Sequence, residues 1–67
     1  MIYVNGKPVQ ADGNPTIRDV LLAVEIDPDR GGIAVAVDSQ VARRAVWPTQ
    51  TLEQGAHVEI VTATQGG

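Results

Sequence analysis

Two glycines close the sequence, Gly66-Gly67, directly after a run with the alternation of a strand, Val58-Glu59-Ile60-Val61-Thr62-Ala63. Glycine lacks a Cβ, so a pair of them lets backbone pass close to a partner's wall, and a terminal glycine offers an unhindered α-carboxylate. The chemistry open to such an end is acyl chemistry in trans: the tail threads into another protein's active site, where the Gly67 carboxylate is activated and modified. Gln65 and Gly66 would enter that site with it, and any side chain at position 66 would block the passage. The competing reading is a frayed terminus, because the last residues of many domains are poorly ordered. Little else in the chain offers chemistry. There is no cysteine, which removes a thiolate nucleophile, a disulfide framework and cysteine-based zinc sites. His57 is the only histidine and reads as a solvated turn residue, since neither a metal site nor a catalytic base can be built around it alone. The carboxylates show no paired arrangement suited to acid–base work, so an enzyme in its own right is the least favoured class.

The rest of the chain must position that end. Sixty-seven residues make one domain, since so short a chain buries only about 60% of its unfolded surface and cannot support two cores. Hydrophobic residues at 43% and charged residues at 19% indicate a folded rather than a disordered chain. With only Tyr3 and Trp47 as aromatics, the core must be aliphatic. A formal charge of -3 argues against nucleic acid as partner. The N-terminal residues lack the basic region and apolar stretch of a signal peptide, and no apolar run approaches the roughly 20 residues of a membrane span. The expectation is a soluble, cytoplasmic protein with a folded body over residues 1–63 and a flexible tail over 64–67.

Local signals place the elements. Ile2 and Val4 alternate with Tyr3 and Asn5, and Asn5-Gly6 is a strong hairpin signal. The return strand, Lys7 to Ala11, carries Pro8, which suits an edge. After the turn Asp12-Gly13-Asn14-Pro15 the period changes: Ile17, Val20, Leu21 and Val24 share one helical face, with Leu22 widening the stripe. Thr16 is the expected N-cap and Asp19 places negative charge in the first turn. Pro28 and Gly31-Gly32 end the helix by Ile26 or Asp27. Ile33 to Val37 reads as an inner strand, Asp38-Ser39-Gln40 as a turn, and Val41-Ala42-Arg43 as a short strand. An irregular stretch follows from Arg44 to Gln54, with Trp47 as its packing anchor. Glu53 to Ala56 turns into the last strand, Val58 to Ala63. The predicted core is Ile2, Val4, Ile17, Val20, Leu21, Val24, Val35, Val58 and Ile60. The order β-β-α-β-β predicts an α+β domain, one mixed sheet with one packed helix.

Val4-Asn5-Gly6, Thr16-Ile17-Arg18-Asp19-Val20-Leu21-Leu22, Ile33 to Val37, Arg43-Arg44-Ala45-Val46-Trp47 and Val58 to Gly67 together resemble the ThiS family, the sulfur carrier proteins of thiamine biosynthesis. The resemblance covers nearly the whole chain and implies the ubiquitin-like β-grasp fold. Two turns depart from the family pattern: Ala56-His57 stands where Gly-Asp is usual, and Asp38-Ser39 where Asn-Gly is frequent. The resemblance further implies a carrier rather than a catalyst. A ThiF-like adenylating enzyme, using ATP and Mg²⁺, would convert the Gly67 carboxylate to an acyl-adenylate; the chain itself would bind no cofactor. A persulfide donor would supply sulfur to leave a thiocarboxylate at Gly67, and a thiazole synthase of the ThiG type would accept it for the thiazole ring. Val61 and Ala63 are candidate docking residues beside the tail unless a loop or strand covers them, and Arg43 or Arg44 is a candidate for contact with acidic groups on a partner. Two alternatives remain. One is a MoaD-like carrier for molybdopterin synthesis, disfavoured because Thr62-Ala63-Thr64-Gln65 stands where a Pro-rich approach to Gly-Gly is typical. The other is a ubiquitin-like conjugate or adaptor, with Gly67 joined to a lysine.

Overall fold

A computed structural model describes residues 1–63. The elements are β1 (Ile2–Val4), β2 (Lys7–Val9), α1 (Ile17–Ala23), β3 (Ile33–Val37), β4 (Gln40–Ala42), a 3-10 turn (Arg44–Val46) and β5 (His57–Thr62). They form one five-stranded mixed sheet in the order β2-β1-β5-β3-β4. β5 is the central strand: it runs parallel to β1, with Val4 opposite Val58, and antiparallel to β3, with Val35 opposite Ile60.

Turn chemistry explains both hairpins. Asn5 (φ 51°) and Gly6 (φ 83°) both take left-handed backbone, the requirement of a two-residue type I′ turn. Asn5 has a second role that its turn propensity does not disclose. Its side-chain Oδ1 accepts the Ile60 N–H at 2.8 Å and its Nδ2 donates to the Ile60 carbonyl at 3.2 Å, which extends the β1–β5 ladder past the end of β1. In the β3–β4 hairpin Asp38 (φ 47°) and Ser39 (φ 72°) occupy the left-handed positions. Asp38 is held there by β5: its N–H donates to the His57 carbonyl at 2.8 Å and its Oδ1 accepts the His57 N–H at 3.0 Å. Before β5 the left-handed conformation falls on Gly55 (φ 90°), so Ala56-His57 serves without a glycine, and Ala56 is buried in the core.

The helix begins as its sequence predicts. Thr16 and Asp19 form a reciprocal capping box: the Thr16 side chain accepts the Asp19 N–H and the Asp19 carboxylate accepts the Thr16 N–H, each at 3.0 Å. The two N–H groups between them are satisfied by the irregular segment, Ile17 by the Gln50 carbonyl at 3.1 Å and Arg18 by the Trp47 carbonyl at 3.0 Å. The bond from Thr16 holds the Asp19 carboxyl below its ordinary value of 3.8, with a smaller contribution from Arg18. At the other end the helix stops at Ala23, earlier than the proline and glycine signals alone require. Glu25 takes φ 63°, and the N–H groups of Glu25 and Ile26 turn back to the carbonyls of Leu22 and Leu21, the Schellman pattern.

The core lies between the helix and one face of the sheet. Eight of the nine predicted residues are buried, and Val24 is partly buried against them. Leu22 corrects the expected stripe: it is 53% exposed, because it falls outside the face defined by Ile17, Val20, Leu21 and Val24. The irregular segment contributes Leu52 and Trp47 to the core, each 2% exposed. Trp47 donates its indole N–H to the Ala42 carbonyl at 3.0 Å. Gln54 joins distant segments, donating to the carbonyls of Ala11 at 2.8 Å and Gly13 at 2.6 Å and accepting from the Met1 amino group.

Candidate functional site

The candidate site residues lie on the outer face and downstream end of β5 and beside β4. Alternation along this strand turns Val58 and Ile60 into the core and leaves Glu59 and Val61 on the opposite face. Among the described residues no helix or loop lies over that face at Val61, which is 63% exposed, or at Val41, which is 80% exposed on the edge strand β4. Register brings these residues together: Ala34 is directly opposite Val61 and Ala36 opposite Glu59 on β5, while Ala36 is also opposite Val41 on β4. The alanines of β3 give this surface low relief, with valines rising at either side and Glu59 as its one acid. Val61 was visible in the sequence; Val41, Ala34 and Ala36 were not, since only the strand register shows that they share its face.

Toward the β1 side of the same sheet, the His57 ring stacks on Tyr3 with centroids 4.9 Å apart and planes 13° from parallel. His57 is exposed, as its surroundings in the sequence suggest, but it is the first residue of a central strand rather than a turn residue. At the downstream end Ala63 is exposed, and its N–H donates to the Gly32 carbonyl at 2.6 Å. Gln65, Gly66 and Gly67 lie outside the described residues.

The two arginines differ. Arg44 is committed to the fold: its guanidinium donates to the carbonyls of Pro28 and Arg30 and sits 4.5 Å from the centre of the Trp47 ring, a cation–π contact. Arg43 is exposed and makes no side-chain hydrogen bond or ion pair among the described residues. A shallow recess lined by Val37, Asp38 and residues 51–56 lies at the opposite end of β5 from Ala63. Among the described residues no cluster of three or more His, Asp or Glu is placed to hold a metal ion, and no helix is long and apolar enough to cross a membrane.

The ThiS family model matches residues 2–67. The chain belongs to the ThiS family. Among solved structures it is similar to the crystal structure of the thiamine biosynthesis protein ThiS from Geobacter metallireducens, with a TM-score of 0.77 and 26% identity, over 98% of this chain and 97% of that one. A solution structure of a thiamine biosynthesis protein from the same organism gives a TM-score of 0.74 at 26% identity, over 98% and 86% of the two chains. No curated protein matches the chain. The sheet order and single helix are thus the ubiquitin-like β-grasp of the ThiS structures.

Proposed function

We propose that the chain is a sulfur carrier of thiamine biosynthesis whose Gly67 carboxylate is activated, converted to a thiocarboxylate and presented to a thiazole-forming enzyme. Membership of the ThiS family over residues 2–67 carries this reading, because the match reaches through the Gly66-Gly67 end that the chemistry needs.

A carboxylate is a poor electrophile, and adenylation supplies a leaving group. An oxygen of the Gly67 carboxylate attacks the α-phosphorus of ATP, pyrophosphate leaves, and an acyl-adenylate remains, with Mg²⁺ held by the ThiF-like activating enzyme. The terminal sulfur of a persulfide then displaces AMP, and a thiol reductant cleaves the S–S bond to leave the thiocarboxylate. This chain's part is presentation. Thr64 to Gly67 extend at most about 14 Å at ~3.6 Å per residue, so the body docks outside the partner's site while the carboxylate reaches in. The low-relief face at Ala34, Ala36, Val41 and Val61, continuing toward Ala63, is the proposed docking surface, with Arg43 beside it for acidic groups on the partner.

The test is intact mass spectrometry after incubation with ATP, Mg²⁺, a ThiF-like enzyme and a sulfide source, beside a variant lacking Gly67. Replacement of one oxygen by sulfur in the full-length chain alone is expected. An unchanged mass with a demonstrably active enzyme would reject the thiamine assignment in favour of the molybdopterin or conjugation alternatives.

A further inference from the structure

Ala63, the last described residue, meets a glycine 31 residues earlier in the chain. Gly32 precedes β3 with φ +78°, a conformation that L side chains rarely adopt. Its carbonyl accepts the Ala63 N–H at 2.6 Å, one residue beyond the last ladder pair, Ile33 opposite Thr62. A Cβ on Gly32 would stand 3.1 Å from the Ala63 carbonyl oxygen and 3.7 Å from the Ala63 Cβ. Backbone conformation and close approach therefore both favour glycine at 32, where a Cβ would force its neighbour to give by a few tenths of an ångström. Neighbouring Gly31 has neither constraint: its φ is not left-handed, and nothing lies within 4 Å of a Cβ placed there.

We propose that Gly32 is a positioning residue that fixes Ala63 as the root of the tail and so sets where the Gly67 carboxylate is delivered. The inference rests on the carrier reading. Gly32 touches no substrate; it acts through the Ala63 backbone. A methyl group at 32 must push the Ala63 carbonyl aside or twist Gly32 out of its conformation, and either change weakens the hydrogen bond at the tail root. The reacting carboxylate is four residues further on, and a misplacement of about 1 Å at a reacting centre lowers turnover by about 100-fold.

The experiment measures kcat and KM for Gly67 adenylation by pyrophosphate release with a ThiF-like enzyme, alongside amide exchange at Ala63 by NMR. The chains compared are wild type, Gly31→Ala, Gly32→Ala, Gly32→D-Ala and a synthetic chain with an ester in place of the Thr62–Ala63 peptide bond, which removes the Ala63 N–H while keeping every side chain. In Gly32→Ala, kcat is expected to fall about 10- to 100-fold with KM within about twofold, and Ala63 exchange to quicken. The ester chain should lose kcat in the same direction, which keeps the inference testable if Gly32→Ala does not fold. Gly31→Ala should match wild type, and Gly32→D-Ala, which accepts positive φ, should recover most of the rate. Unchanged kcat in Gly32→Ala or in the ester chain, or an equal loss in Gly31→Ala, overturns the proposal while leaving the carrier reading intact. Failure of the wild type to react with an active enzyme rejects the carrier reading instead. Unchanged Ala63 exchange in Gly32→Ala overturns the anchoring by itself.

Discussion

Glu25→Gly should stabilise the protein, an outcome opposite to that of most substitutions. Glu25 carries the left-handed conformation that closes the helix, where a residue with a Cβ is disfavoured by roughly 1–2 kcal/mol. Its side chain is exposed and has no hydrogen bond or ion pair among the described residues, so removing it loses no contact. Against the relief stands the greater unfolded-state freedom of glycine, roughly 0.5–1 kcal/mol. The difference is a net gain centred on about 0.75 kcal/mol, which for a domain of this size raises Tm by about 3–6 °C. Urea and thermal unfolding followed by the single buried tryptophan, Trp47, will measure it. Glu25→Ala is the control, since it removes the same side chain but keeps the Cβ, and should leave stability nearly unchanged. A destabilised Glu25→Gly, or an Ala variant that gains as much, would refute the assignment of strain to position 25.

Ser39→Gly should likewise add about 0.5–1 kcal/mol, because Ser39 holds φ 72° in a type I′ turn that favours glycine at its second position; denaturant midpoints decide it. Asn5→Gly should keep the first hairpin turn but lose both side-chain bonds to Ile60, costing about 1–3 kcal/mol, read from the same unfolding curves. The capping box makes stability acid-sensitive: since the Asp19 carboxyl is held below 3.8, its contribution is fully present above that value and lost as pH falls through the lowered one. Asp19→Asn should therefore flatten that part of the profile in urea titrations between pH 6 and pH 2. Val61→Lys should lower stability by no more than about 1 kcal/mol yet abolish capture by a ThiF-like enzyme, whereas the same change at exposed Leu22, on the helix side, should leave capture intact.

Elements specified by local chemistry were legible in the sequence. The Asn5-Gly6 turn, the Thr16 cap with Asp19, and the helical spacing of Ile17, Val20, Leu21 and Val24 all rest on interactions within a few residues, and each is where its chemistry places it. Pro8 likewise falls on the edge strand β2, which ends at Val9 rather than Ala11. The misses share a different origin. Leu52 and Ala56 enter the core from a segment without periodicity, where no repeat marks an inward face. Leu22 is exposed because its neighbours Ile17 and Leu21 define the buried side more tightly than hydrophobicity alone can. The strand order needs β1 to pair with β5 across most of the chain, and no local signal reports a parallel pair so far apart. The same absence hid the exposed face proposed for docking: Val41 and Val61 are brought together only through β3.

The central position of β5 explains why a domain this small can be both folded and presentable. Its inward residues Val58 and Ile60 are held by neighbouring strands on both sides, so the strand cannot fray without opening the core. Its outward residues can then remain uncovered at little cost to stability. An edge strand would lose this arrangement, since edges open first and pair with other chains. At the end of this strand the Ala63 N–H donates to the Gly32 carbonyl at 2.6 Å, the contact proposed above to fix the root of the tail. On the proposed carrier reading, this strand gives residues 64–67 a fixed origin at Ala63 from which the Gly67 carboxylate is delivered to another protein.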